Sequence, residues 1–143
     1  MKQIKQWSKE HLGRMVLIVL AALALGTALL MGVSDNVPGL ILVYLACGLL
    51  IAAFVCTWKE PQSFLKMLIV SLISVPVFVV LHNLAYAVTQ STLDTPLISG
   101  FFEFLGAICF IIAVVIAPTA VIISAIGAII TALHNRGRHQ PAG

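Results

Sequence analysis

The sequence predicts an all-α integral membrane protein, a four-transmembrane-helix antiparallel bundle with both termini on one side. Three observations lead there. Of 143 residues, 61% are hydrophobic and only 9% charged, with a mean hydropathy of +1.12. Soluble domains carry about 45–50% apolar and about 25% charged residues. Four apolar runs reach the ~20 residues a helix needs to cross the hydrocarbon of a bilayer. All eight Lys and Arg fall on the same side of those four runs. A chain this short, placed in water, would expose much of its apolar surface. The composition therefore excludes a soluble enzyme, a disordered chain and a nucleic-acid binder. The net charge of +3 reads as membrane-flanking charge.

The elements follow in order along a single domain without internal repeats. Residues 1–14 form a basic segment with Lys2, Lys5, Lys9 and Arg14. Ile4, Trp7, His11 and Met15 recur in it at helical spacing, which suits a short interfacial helix. The first span covers residues 15–33 and holds no charge. It is too long for the 7–15-residue core of a cleaved signal peptide, so it reads as an uncleaved span. Ser34, Asp35 and Asn36 make a tight turn, and Pro38 suits the first turn of the second span, residues 37–58. Pro61 plays the same part before the third span, residues 64–89. Asp94 or Thr95 can cap the fourth, residues 97–133, with Pro96 opening it. Splitting that run at Pro118 would leave two pieces, each short of the roughly 20 residues a span requires. No polar turn separates them. One long helix kinked near Pro118 is the expectation, followed by a cytoplasmic tail at 134–143.

Charge supports that count. With four spans, the N-terminal segment, the loop holding Lys59 with the nearby Lys66, and the tail with Arg136 and Arg138 share one side. The opposite loops hold only Asp35 and Asp94, with Glu103 nearby. Basic loops stay in the cytoplasm, so both termini are expected there, in a bacterial inner membrane. A fifth span would put Arg136 and Arg138 outside.

Lipid is as apolar as Leu, so helices associate through close packing and polar contacts. Small residues mark the expected contact faces. They are Ala24, Ala28 and Gly32 in the first span, Gly48 and Ala52 in the second, and Ala120, Ser124 and Ala128 in the fourth. The third span is nearly without them before Ala85 and carries Ser71, Ser74, His82, Asn83 and Tyr86 instead.

Polar groups within a span are costly and need partners. His82, Asn83 and Tyr86 lie close together on the third helix, with Tyr86 one turn past His82. Glu103 sits among Phe101, Phe102 and Phe104 near the start of the fourth. His82, Asn83, Tyr86 and Glu103 are the candidate polar intramembrane site, read either as an interhelical clamp or as an outward-facing path. His82 is expected to hydrogen-bond with Asn83, Tyr86 or Glu103. Cys47, Cys56 and Cys109 are isolated and read as small packing residues. No metal-ligand cluster, phosphate loop or nucleophile motif is present in the sequence, so no cofactor, metal or catalytic residue is expected. The expected role is non-enzymatic: helix contacts within the bilayer, as a homo-oligomer or as an accessory subunit of a membrane-protein complex. The alternative is a small transporter or channel built around the four polar residues.

Overall fold

The computed structural model describes residues 2–33 and 36–138, with side chains from His11 to Asn135. Asp35, Ser34 and the tail beyond residue 138 lie outside the described residues. The protein is all-helical. Its helices are α1 (Lys2–Met31), α2 (Val37–Val55), α3 (Pro61–Ser91), α4 (Pro96–Ile111) and α5 (Ala117–Arg138), the last two joined by a π-helical turn at Ile112–Ile116. Four segments are long and apolar enough to cross a membrane, and the fourth runs from Pro96 to Asn135 without a break.

Sequence chemistry accounts for the helix ends. Pro38, Pro61 and Pro96 all sit in first turns, where the missing N–H has no helical partner to lose. Thr95 is the residue before α4, yet its hydroxyl does not cap that helix. It turns back to the Thr92 carbonyl, 3.1 Å away, because the end of α3 leaves carbonyls without donors. Gly32, expected on a packing face, instead ends α1 with a left-handed φ of 79°. Gly39 lies against the Gly32 carbonyl, where a Cβ would collide with it. The α1 helix starts at Lys2, so the basic segment and the first span form one helix.

Among the described residues, the backbone of α1 packs against that of α2 and of no other helix. The contact is a line of small residues, with Ala21 and Ala28 at 1% and 0% exposure and Ala24 beside them. At one end of this pair the Arg14 Nε donates to the Ala53 carbonyl, 3.1 Å away, in the last turn of α2. A cation there also suits the negative end of the helix dipole. α3 packs on α4, the π turn and α5. Two contacts fix its direction: Phe64 lies on Gly127, and His82 lies on Gly106. A Cβ at Gly127 would run into the Phe64 ring, which Trp58 holds edge-on at 5.3 Å. Lys59 and Lys66 flank this aromatic cluster, and Arg14 is at the same end of the molecule.

The π turn is where α2 meets the last helix. In an α-helix the Val114 carbonyl would accept from the N–H of residue 118, which proline lacks. The Tyr44 hydroxyl donates to the Val114 oxygen at 2.8 Å, within the π turn. Gly48, one turn on, faces Thr119 and Ile123. Tyr44 and Val114 are 70 positions apart, so Val37, the first residue of α2, stands level with about residue 107. The part of α4 before that level extends about 16 Å past the start of α2 at 1.5 Å per residue. α2 makes no contact with α4. The α3–α4 pair therefore overhangs the α1–α2 pair.

Replacing Tyr44 with Phe should cost about 1 kcal/mol, since it strands a carbonyl where water is scarce. In a Pro118→Ala background, residue 118 regains its N–H and the same replacement should cost almost nothing. Unfolding of the four variants in detergent measures the coupling; equal losses in both backgrounds would show that Tyr44 and Pro118 act independently.

Candidate functional site

The overhanging part of α3 and α4 encloses a cavity of about 730 Å³. Two helical faces form it. On α3 these are His82, Tyr86 and Gln90, which recur one turn apart, with Leu93 just past its end. On α4 the residues Ser99, Phe102, Glu103, Gly106 and Phe110 do the same. The helices approach closely at the cavity floor because Ala85 and Gly106 are both small. A Cβ on Gly106 would lie 3.5 Å from the Ala85 Cβ, an ordinary contact, so larger side chains would push the helices apart.

His82 is held across this approach. Its Nδ1 is 2.9 Å from the Gly106 carbonyl. A carbonyl only accepts, so Nδ1 carries the proton. The imidazole also leans on the Phe110 ring, with centroids 5.3 Å apart. In the neutral tautomer that this bond fixes, Nε2 is an acceptor.

The structure brings His82, Tyr86 and Glu103 to one cavity. Asn83 does not line it. It lies about 100° around the helix from His82, is exposed, and donates back to the Val79 carbonyl at 2.8 Å. His82 takes a backbone carbonyl as its partner and not the side chain of Asn83, Tyr86 or Glu103. Gln90, Ser99, Phe102 and Phe110 join the cavity without having been singled out in the sequence. Their helical spacing from Tyr86 and Glu103 was the available signal.

The other expected contact residues are dispersed. Ala120 and the fully buried Ser124 face inward on α5, where the Ser124 hydroxyl donates to the Ala120 carbonyl. Ala128 and Ala52 are half-buried, and Ala52 borders a smaller apolar recess of about 340 Å³ beside Phe64 and Gly127. Of the cysteines, Cys109 is buried and Cys47 half-buried. Cys56 is exposed and lies 3.2 Å from the Ala53 carbonyl. Among the described residues, no group of three His, Cys, Asp or Glu side chains could hold a metal ion. Comparison of the chain with family models, curated proteins and solved structures gives no match.

If His82 is secured by the Gly106 carbonyl, its loss and that of Glu103 should be independent. His82→Leu should lower stability in detergent by about 1 kcal/mol. Combining it with Glu103→Leu should give the sum of the two single effects within a few tenths of a kcal/mol. A clear excess or shortfall would mean that the two side chains interact directly.

Proposed function

We propose that the chain is a small non-enzymatic transporter or channel-like protein that receives a small molecule in the groove between α3 and α4. The observation that carries this reading is the shared cavity of His82, Tyr86 and Glu103. It is of the size that small-molecule sites commonly have, and it mixes an apolar lining with a few convergent polar groups. Ionisable side chains at membrane depth tend to mark such paths. The distribution of basic residues supports an antiparallel arrangement of the four helices with both termini in the cytoplasm of a bacterial cell. In that orientation the groove faces outward, and the Phe64–Gly127 contact lies toward the cytoplasm.

A second reading has an observation of its own. Only two helices wall the groove, and among the described residues the backbone of α1 packs only against that of α2, so wide helical faces remain open. Those faces suit an accessory subunit of a membrane complex, or a homo-oligomer that brings a further helix to the groove.

Orientation and access can be tested together. Reporter fusions after residues 36 and 94 should give external signals, and fusions after residues 61 and 140 internal ones. In a cysteine-free background, Ser99→Cys should react with a membrane-impermeant maleimide added to intact spheroplasts. Adding Ala107→Trp should close the groove and suppress that labelling. An unreactive Ser99→Cys would favour the second reading, in which another chain covers the site.

A further inference from the structure

The groove carries a chemical bias beyond its size. Its polar groups are weighted toward acceptors. The Glu103 carboxylate accepts only, and the His82 Nδ1 proton is already given to the Gly106 carbonyl, which leaves the Nε2 lone pair. Tyr86, Gln90 and Ser99 can each accept as well. Three aromatic rings, Tyr86, Phe102 and Phe110, border the same space, and ring faces attract cations. The charges point the same way. Among the described side chains, every Lys and Arg is at the opposite end of the molecule, with Arg14, Lys59 and Lys66 near the Phe64 cluster. The groove end holds Asp94 and Glu103. An anion would meet no positive side chain there, whereas a cation meets a carboxylate, an imidazole acceptor and aromatic faces. Leu93, Ala107 and Ile111 complete the lining with apolar surface.

From these features we infer that the groove binds an amphiphilic organic cation, a protonated amine carrying an apolar body. The ammonium sits between Glu103 and the Nε2 of His82, and the apolar part lies along Phe102, Phe110 and Ile111. The ligand enters sideways, over the step at which α1 and α2 stop short of α3 and α4. Glu103 supplies the charge that separates this ligand from a neutral molecule of the same shape. The inference rests on the reading of the groove as a binding site and adds the class of its ligand.

The test uses the full-length protein in phosphatidylcholine nanodiscs. Dansylcadaverine serves as the probe, a primary amine joined by an alkyl chain to an environment-sensitive fluorophore. Its N-acetyl derivative is the neutral control. The wild type should bind the amine at least about tenfold more tightly than the acetylated form, the preference expected from one charge-assisted contact. Glu103→Gln should bring the two affinities together by weakening the binding of the amine, while leaving the melting temperature unchanged. Ala107→Trp should weaken both probes. Equal affinities in the wild type, with Ala107→Trp still blocking both, would overturn the cation assignment and leave the groove as a binding site. Binding indifferent to Ala107→Trp would overturn the groove reading and the assignment together. Displacement of the amine when phosphatidylethanolamine is added to the nanodisc would overturn the choice of a free amine, since a lipid headgroup would then be the occupant.

Discussion

The carbonyl of Val114 governs how the two halves of this protein meet. A backbone oxygen in lipid is stabilised by every donor that reaches it, since no water is there to serve. Pro118 offers the Val114 oxygen no N–H, and the Tyr44 hydroxyl donates to it. Because the backbone of α1 packs, among the described residues, only against that of α2, whatever fixes α2 on the last helix fixes α1 as well. The bond from Tyr44, with Gly48 admitting Thr119 and Ile123 one turn later, sets that register. The register in turn leaves the ends of α3 and α4 uncovered by α2, and the groove lies there. A proline in the fourth span thus reaches the candidate site through the height at which a neighbouring helix is held.

Within the overhang, close approach and opening are produced by adjacent choices of residue. Ala85 and Gly106 bring the helices together, while Phe102, Tyr86 and Leu93 stand nearer the rim and Phe110 lies one turn deeper. The bond from His82 to the Gly106 carbonyl ties the two helices together at the narrow point. The bond uses one imidazole nitrogen and leaves the other without a part in the helix contact. Elsewhere in the spans, hydroxyls turn back on their own helices, as Ser74 does to Val70, Thr89 to Ala85 and Thr131 to Gly127. Back-bonding of this kind satisfies a polar group without committing it to a neighbour.

Much of the helical layout was legible in the sequence. Apolar run length identified the four long segments, and Pro38, Pro61 and Pro96 marked where three of them begin, because proline is tolerated where no helical N–H is needed. The alanines of α1 were legible as a contact line for the same reason that they pack, since small side chains let backbones approach. What escaped was set by partners remote in sequence. Gly32 falls in the four-residue series of Ala24 and Ala28, which masks its second possible part as a glycine ending a helix before the turn at residues 34–36. The partner of His82 is a main-chain carbonyl, which every residue possesses and no side-chain pattern reveals. Asn83 was grouped with His82 by adjacency, although neighbours along a helix point about 100° apart. The cavity residues Gln90, Ser99 and Phe110 were available from helical spacing alone, but only the pairing of α3 with α4 shows that their faces meet.

The unequal heights of the two helix pairs have a mechanical meaning for the surrounding lipid. α2 has 19 residues, about 28 Å of helix, close to the thickness of a typical hydrocarbon core. α3 has 31 residues, about 46 Å. By span length, the apolar part of α1 (His11–Met31) and α2 (Val37–Val55) thus match a bilayer of ordinary thickness, whereas α3 (Pro61–Ser91) and the segment Pro96–Asn135 exceed it. A rigid body with two hydrophobic lengths cannot satisfy a flat membrane all the way round. Lipid must stretch along the tall flank or the whole protein must lean, at a cost of fractions of a kcal/mol for each ångström of disparity. That cost is smaller wherever the bilayer already changes thickness along the tall flank.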